Sequence, residues 1–217
     1  QREEAEKRDH RKLGRELDLF SISDDYGQGL ILWHPKGGII RMEMENLLKE
    51  ELQKRGYSFV YTPHIAKRKL WEISGHEENY ADGMFAPTTI EEEEFRLKPM
   101  NCPFHIGIYK ANPRSYRDLP QRYSEMGTVY RAELSGTLHG LMRVRGFTVD
   151  DAHLFVRPDQ VQVEVDDCLD FAIKVFDTYG FEKVKFELSV RGDAENKLYL
   201  GADSDWESAE KSLASAL

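Results

Sequence analysis

The sequence predicts an α+β fold in which helices flank an antiparallel β-sheet. Two alternating segments, residues 122–133 and 143–156, follow one another with a glycine-containing loop between them, as in a β-hairpin. Helical patterns stand outside this hairpin, whereas a parallel sheet would place a helix between each strand and the next. The 217 residues suffice for one domain with a substantial core, with or without a short appendage.

The composition is that of a globular protein. Hydrophobic residues make up 40% and charged residues 32% of the chain, and the net charge of −9 means that nucleic acid would need a local basic patch. No apolar run approaches the ~20 residues of a membrane helix and no signal peptide opens the chain, so we expect no membrane partner. The two cysteines, Cys102 and Cys168, predict free thiols, which favours the cytoplasm and leaves an organelle open.

Apolar periodicity divides the chain into a linker helix at 1–20 and one larger domain at 21–217. In the larger domain a helix begins near Ile39 and stops at Gly56, and a buried strand then ends at Pro63. Four later elements are predicted on similar grounds: a helix at 103–113, a helix capped by Asp159, a strand at 183–191 and a final helix capped by Asp203 or Ser204.

The second strand of the hairpin has an unusual set of side chains on one face. Side chains alternate across a strand, so its odd-numbered positions share a face. These positions are Arg143, Arg145, Phe147, Val149, Asp151 and His153. A face covered by helices would be apolar and a solvated face would hold Lys, Glu and Thr, so this mixture indicates the floor of a polar pocket. Arg131 and Glu133 on the first strand complete the set.

Each residue type on that face suits a particular ligand group. The planar fork of arginine forms paired bonds with phosphate, and the ring of Phe147 can stack on a flat base. Asp151 can accept from an amine or a hydroxyl, and His153 suits a metal ion or a moving proton. The alternative is a solvated hairpin whose charges pair with one another. Three glycines favour the pocket, because they allow close backbone approach or a bend. They are Gly136, Gly140 and Gly146.

The stretch RAELSGTLHGLMRVRGFTVDDAH resembles motif 2 of the class II aminoacyl-tRNA synthetases, and within that class the threonyl-tRNA synthetase family. RDHRKLGRELDLF resembles the entry to that family's catalytic domain, the helix and strand at 39–63 resemble its motif 1, and SGHEENYADGMF and LKPMNCP resemble the segments around its zinc site. The resemblance implies a class II antiparallel sheet, joining of L-threonine to ATP with Mg²⁺, transfer to the 3′ end of tRNA(Thr), and a homodimer through motif 1.

The resemblance also implies four ATP-binding residues. Arg131 matches the arginine that bridges the amino-acid carboxylate and the α-phosphate, and is therefore catalytic as well. Glu133 matches the acceptor for the adenine amino group, Arg143 the contact to the γ-phosphate, and Phe147 the ring stacked on adenine.

A zinc site is implied by the resemblance alone, because one cysteine and one histidine 51 residues apart form no zinc motif. Cys102 and His153 match two of the three zinc ligands, and otherwise Cys102 reads as a small buried apolar residue. Asp151 matches the acceptor for the threonine hydroxyl, and Met100 would line the threonine pocket. His76 matches a histidine of the transfer step, and otherwise reads as an ordinary loop histidine.

Several features depart from the family pattern. No histidine follows His153, so the third zinc ligand is expected outside this chain, together with motif 3, the anticodon-binding domain and an editing domain. Val149 and Glu77 stand where relatives often have a polar and an aromatic residue. We therefore expect an incomplete catalytic core, with little aminoacylation and weak zinc binding on its own. The alternative function is a non-catalytic paralogue or fragment that binds nucleotide, RNA or a synthetase partner.

Overall fold

The computed structural model of the chain describes residues 6–181, 183–192, 199 and 201–217. The described residues fall into two compact units, drawn from 1–113 with 122–153 and from 114–121 with 154–217. Among the described residues, every helix is too short or too polar to span a lipid bilayer.

The first unit contains most of the secondary structure. Its elements, in chain order, are α1 (His10–Glu16), β1 (Phe20–Ser21), β2 (Leu32–Trp33), α2 (Pro35–Lys54), β3 (Ser58–Phe59), β4 (Ile65–Lys67), α3 (Arg68–Ile73), α4 (His76–Asn79), β5 (Thr88–Ile90), β6 (Glu93–Leu97), α5 (Cys102–Lys110), β7 (Gln121–Tyr130) and β8 (Gly146–Phe155). The last residues of β8 and the first of β7 belong to the second unit.

The central sheet has the strand order β3-β7-β8. β8 runs antiparallel to β7, because the N–H of Arg131 donates to the carbonyl of Arg145 at 2.9 Å while Thr128 and Thr148 meet through their hydroxyls at 2.8 Å. The predicted hairpin and the antiparallel, helix-flanked architecture are thereby confirmed. The short strand β3 joins the other side of β7 in parallel, which the hairpin pattern did not predict.

Helix α2 determines which face of the hairpin is open. Arg41 of α2 donates to the hydroxyl of Thr148 at 2.7 Å, so the even-numbered positions of β8 face this helix. Because successive side chains of a strand point to opposite faces, the odd-numbered positions face away from α2. The polar positions predicted from the sequence, Phe147, Asp151 and His153, therefore share the face that α2 leaves uncovered.

A second sheet, of order β4-β6-β5, is antiparallel throughout. Helix α3 follows β4 directly, and its Trp71 is 0% exposed, which gives this layer an aromatic core. Arg68 of α3 donates to Glu94 of β6 at 2.7 Å and so ties the helix to the sheet.

The second unit is mainly helical. It contains the 3₁₀ turns Tyr116–Asp118 and Pro158–Gln160 and the helices α6 (Val161–Thr178) and α7 (Asp203–Ala216). An apolar cavity of about 650 Å³ lies within it, lined by Leu169 of α6, Leu213 of α7 and Phe186, among others.

The boundaries of two helices differ from those predicted. The first helix does not fill 1–20, because α1 ends at Glu16 and Asp18 has a φ of 59°, outside the helical region. Helix α2 begins four residues earlier than Ile39, at Pro35, because proline fits the first helical turn, where no backbone N–H is needed.

Both predicted helix caps are wrong. The residue that precedes α6 is Gln160, and Asp159 instead accepts from Arg157 at 2.9 Å within the preceding turn. Ala202 precedes α7, so that Asp203 lies in its first turn, where a carboxylate is favoured by the helix dipole. The predicted strand at 183–191 is also wrong for the described part of the chain, where these residues pair with no strand.

Gly37 in α2 should be among the residues most sensitive to substitution. A Cβ at Gly37 would lie 2.0 Å from the carbonyl oxygen of Leu19, whereas a Cβ at Gly38 meets nothing within 4 Å. We expect Gly37→Ala to lower the free energy of unfolding by about 1–3 kcal/mol, because backbone must move. Gly38→Ala should raise it by up to about 1 kcal/mol through helix propensity. Urea unfolding of both variants checks this, and equal effects would contradict the close contact.

Candidate active site

Arg131 follows β7 and is held between two aromatic rings. Its guanidinium carbon lies 5.1 Å from the ring centre of Phe147 and 5.9 Å from that of Tyr80. Its Nε is buried and has no hydrogen-bond partner among the described residues. A buried N–H without a partner costs free energy, so this donor is suited to an anionic group entering from outside the chain.

Glu133 and Arg143 lie beside this arginine at the mouth of the hairpin. Nε of Arg143 donates to Oε2 of Glu133 at 2.9 Å, and the Arg143 side chain remains 56% exposed. β8 begins only at Gly146. Arg143 and Arg145 therefore precede the strand, and the alternation of side chains predicted from residue 143 does not apply to them. Arg145 instead donates to the backbone carbonyl of Glu133 at 3.0 Å and to the hydroxyl of Ser135, which braces the loop.

Cys102, Asp151 and His153 converge at the other end of the same strand face. Their ligand atoms all lie within 4.8 Å of one another. Thiolate, imidazole and carboxylate are the donors that zinc prefers, and bond lengths to zinc imply ligand–ligand distances of ~3.5 Å. The donor set therefore fits zinc after a small closure of the three side chains. Asp151, expected only as a contact to the substrate, is placed where it can also act as a ligand.

Asn101 orders this cluster from the start of α5. Its Nδ2 donates to Oδ2 of Asp151 at 2.9 Å, and the residue is 0% exposed. It occupies the space beside Gly127 of β7, where an added Cβ would lie 2.3 Å from Nδ2 of Asn101. Oδ1 of Asn101 is buried without a hydrogen-bond partner in the described part of the chain.

Burial is the main influence on the ionisation of the proposed ligands Cys102 and His153. Burial raises the pKa of the Cys102 thiol, and the negative charge of Asp151 raises it further. Burial lowers the pKa of His153, against the attraction of Asp151. His153 is therefore a neutral imidazole near neutral pH, with a lone pair on one ring nitrogen that can bind a metal ion.

His76 begins the short helix α4 and lies against Met100. Its Nδ1 is 2.8 Å from the hydroxyl of Ser74 and its Nε2 is 3.2 Å from Sδ of Met100. The ring of Trp71 packs edge-on at 5.6 Å. Burial lowers the pKa of His76, so the imidazole is neutral near pH 7 and can accept a proton.

Glu77 anchors the helix that carries His76. It accepts a hydrogen bond from Nη2 of Arg96 at 2.7 Å and forms an ion pair with Arg68, whose Nε lies 2.6 Å away. Although burial alone would raise the pKa of Glu77, these two arginines hold it below its usual value. At this position the resemblance favours an aromatic residue, and Glu77 instead acts as a polar anchor.

Sequence reasoning missed the polar side chains that support these residues. They are Tyr80, Lys98, Asn101, His105 and Glu125. Four of them are almost fully buried, with Lys98, Asn101 and His105 at 0% and Glu125 at 4% exposure. One signal was available, since Glu125 interrupts a strand otherwise suited to burial, and a charge there requires buried partners.

The fold agrees with the comparison to known proteins. Residues 85–213 match the model of the tRNA synthetase class II core domain (G, H, P, S and T). The chain therefore belongs to the class II tRNA synthetase family, as the resemblance of its hairpin predicts.

Within that class, similar curated proteins are threonine–tRNA ligases. That of Acidobacterium capsulatum is 56% identical over 215 residues, which cover 99% of this chain and 32% of that protein. That of Aquifex aeolicus is 53% identical over 215 residues, or 99% of this chain and 33% of that protein. The chain thus spans about a third of the length of these relatives.

A solved structure agrees with both the class and the fold. The RNA binding domain of a threonyl-tRNA synthetase from Cryptosporidium parvum superposes with a TM-score of 0.85 at 38% identity. The match covers 96% of this chain and 51% of that one.

Proposed function

We propose that this chain carries most of the catalytic centre of a threonine–tRNA ligase. In this reaction, threonine and ATP form threonyl-adenylate and pyrophosphate, and the threonyl group then moves to the 3′ end of tRNA(Thr). The observation that carries the proposal is one strand face with an arginine cradle at one end and a Cys102–Asp151–His153 cluster at the other. The translation machinery served by such an enzyme implies the cytoplasm, or an organelle with its own ribosomes.

In the activation step Arg131 is the catalytic residue. Its buried, unpartnered Nε can donate to the α-phosphate as the threonine carboxylate attacks and negative charge increases there. Phe147 offers its ring to adenine, Glu133 accepts from the adenine amino group, and Arg143 at the exposed mouth contacts the γ-phosphate of ATP with Mg²⁺.

Threonine would be selected at the other end of the face. Zinc, when bound by Cys102 and His153, supplies a Lewis acid for the amino group and hydroxyl of threonine. Asp151, held by Asn101, accepts a hydrogen bond from the hydroxyl, and Met100 packs against the side chain. Valine has the same shape but no hydroxyl, and an apolar pocket alone would separate the two amino acids only weakly.

For the transfer step, His76 has the properties of a general base. It is neutral near pH 7 and adjoins Met100, which lines the proposed threonine pocket. Helix α4 can hold it there because Glu77 is tied to two arginines.

Amino-acid-dependent ATP–pyrophosphate exchange tests the proposal. The protein that carries this chain should activate threonine, activate serine to a lesser extent because serine also has a hydroxyl, and reject valine. Equal activation of valine would contradict the selection by hydroxyl. No exchange with any amino acid, despite ATP binding, would favour the non-catalytic alternative.

The same function implies a homodimer through residues 39–63. Apolar side chains on α2 are exposed at Ile39 (58%), Met42 (51%) and Met44 (43%), as expected of a surface that a second copy covers.

Light scattering at micromolar concentration tests this surface. We expect about twice the monomer mass of 25.2 kDa, and only the monomer mass for Met42→Glu, because a buried charge without a partner prevents association. Glu50→Lys, a charge change further along α2, should leave the dimer intact. A monomer for the unchanged chain would argue against this interface.

A further inference from the structure

A chain of buried polar side chains lies behind His153. His105 of α5 is 0% exposed, and its Nδ1 lies 2.9 Å from Nδ1 of His153. The other ring nitrogen of His105, Nε2, lies 3.2 Å from Oε2 of Glu125 on β7. None of the roles in the proposed reaction uses His105 or Glu125.

Glu125 is surrounded by donors. The backbone N–H of Thr62 donates to Oε1 at 2.7 Å, and the Thr62 hydroxyl lies 2.9 Å from Oε2. Nζ of Lys98, also buried, lies 3.7 Å from Oε1. Although burial alone would raise the pKa of Glu125, the donors from Thr62, His105 and Lys98 hold it below its usual value. Glu125 is therefore an ionised carboxylate, which can only accept hydrogen bonds.

The direction of each hydrogen bond follows from that acceptor. Because Glu125 accepts at 3.2 Å, Nε2 of His105 carries a proton. Nδ1 of His153 faces Nδ1 of His105, so Nε2 is the ring nitrogen of His153 that remains for a metal ion. A histidine that binds a metal ion through Nε2 keeps its proton on Nδ1, so Nδ1 of His153 is the donor across 2.9 Å and Nδ1 of His105 is the acceptor. A neutral His153 with its proton on Nδ1 has its lone pair on Nε2.

We propose that Glu125 and His105 are positioning residues that fix His153 with Nδ1 protonated, so that Nε2 is the nitrogen presented to the metal ion beside Cys102. The inference rests on the metal site of the proposed function. Lys98 balances the charge of Glu125, and Thr62 orients its carboxylate. The arrangement extends the common pattern in which the second nitrogen of a ligating histidine is hydrogen-bonded to a fixed acceptor.

The test begins with the unchanged, metal-free chain. Two-bond ¹H–¹⁵N correlation spectra of the histidine rings distinguish which nitrogen is protonated. We expect His153 with its proton on Nδ1 and His105 with its proton on Nε2. The opposite tautomer of His153 overturns the proposal, whether or not the protein later proves to be a ligase, because this measurement requires no activity.

Glu125→Gln provides the decisive variant. In this variant the side-chain oxygen of the new amide accepts from Thr62. The NH₂ group of the amide then faces Nε2 of His105 and donates a hydrogen bond to that nitrogen. The proton of His105 then moves to Nδ1, and His153 must accept there and hold its own proton on Nε2. We expect this reversal in the spectra and a ~10–100-fold weaker affinity for Zn²⁺, titrated against a chelating dye.

Glu164→Gln is the matched control. Glu164 of α6 is also buried, at 6% exposure, and belongs to the other unit, so its change should leave both readouts unaltered. If Glu125→Gln retains the far-ultraviolet circular dichroism of the unchanged chain but neither the tautomer of His153 nor the zinc affinity changes, Glu125 has only a structural role. If that variant does not fold, the spectra of the unchanged chain still decide the question.

Discussion

Replacing Arg131 by alanine is expected to lower threonine-dependent ATP–pyrophosphate exchange by about 10²–10³-fold, equivalent to ~2.7–4 kcal/mol of transition-state stabilisation. The loss is large because the guanidinium lies between Phe147 and Tyr80 with a buried N–H reserved for a ligand. Arg131→Lys keeps the charge but loses the planar fork, so we expect an intermediate loss.

Steady-state exchange kinetics check this prediction. The loss should fall mainly on kcat, because the charge on the α-phosphate develops in the transition state. Arg117→Ala is a suitable control, since Arg117 also lies over an aromatic ring, that of Tyr116, but belongs to the other unit. An Arg131→Ala variant that remains folded and keeps full activity would exclude this arginine from the reaction.

Removal of the Cys102 thiol should have the second large effect. In the protein that carries this chain, Cys102→Ala is expected to lose bound zinc and to reduce threonine activation by more than ~10²-fold. The expected loss exceeds that for an outer hydrogen-bond partner, because a ligand atom itself is removed.

Metal analysis and amino-acid selectivity together check this second prediction. Zinc content should fall from about one equivalent to none, and the residual activity should no longer favour threonine over valine. Cys168→Ala offers a control, since Cys168 is an exposed thiol on α6 and should affect neither quantity. Unchanged zinc content in Cys102→Ala would mean that the metal is held elsewhere.

The face of β8 could be read directly from the sequence. Strand alternation is a local property, so it placed Phe147, Asp151 and His153 together without knowledge of the rest of the fold. The same rule wrongly placed Arg143 on this strand face. A turn that contains the bridge between His139 and Arg143 precedes the strand, so the alternation does not reach this residue.

Other parts of the site depend on contacts that no local pattern contains. Cys102 reaches His153 across 51 residues of sequence, and only the resemblance to a family predicted that meeting. Lys98, His105 and Glu125 are single polar residues in apolar surroundings. The ion pair and the hydrogen bond that join them are visible only in three dimensions. The wrong cap at Asp159 has a local origin instead, since Arg157, two residues earlier, competes for the carboxylate.

The fit of Asn101 beside Gly127 restricts how the proposed amino-acid pocket could be redesigned. Any side chain introduced at Gly127 would displace the amide of Asn101, and Asp151 would then lose the donor that orients it. A library that varies Asp151 to accommodate another substrate should therefore leave Gly127 unchanged, or vary Gly127 and Asn101 as a pair.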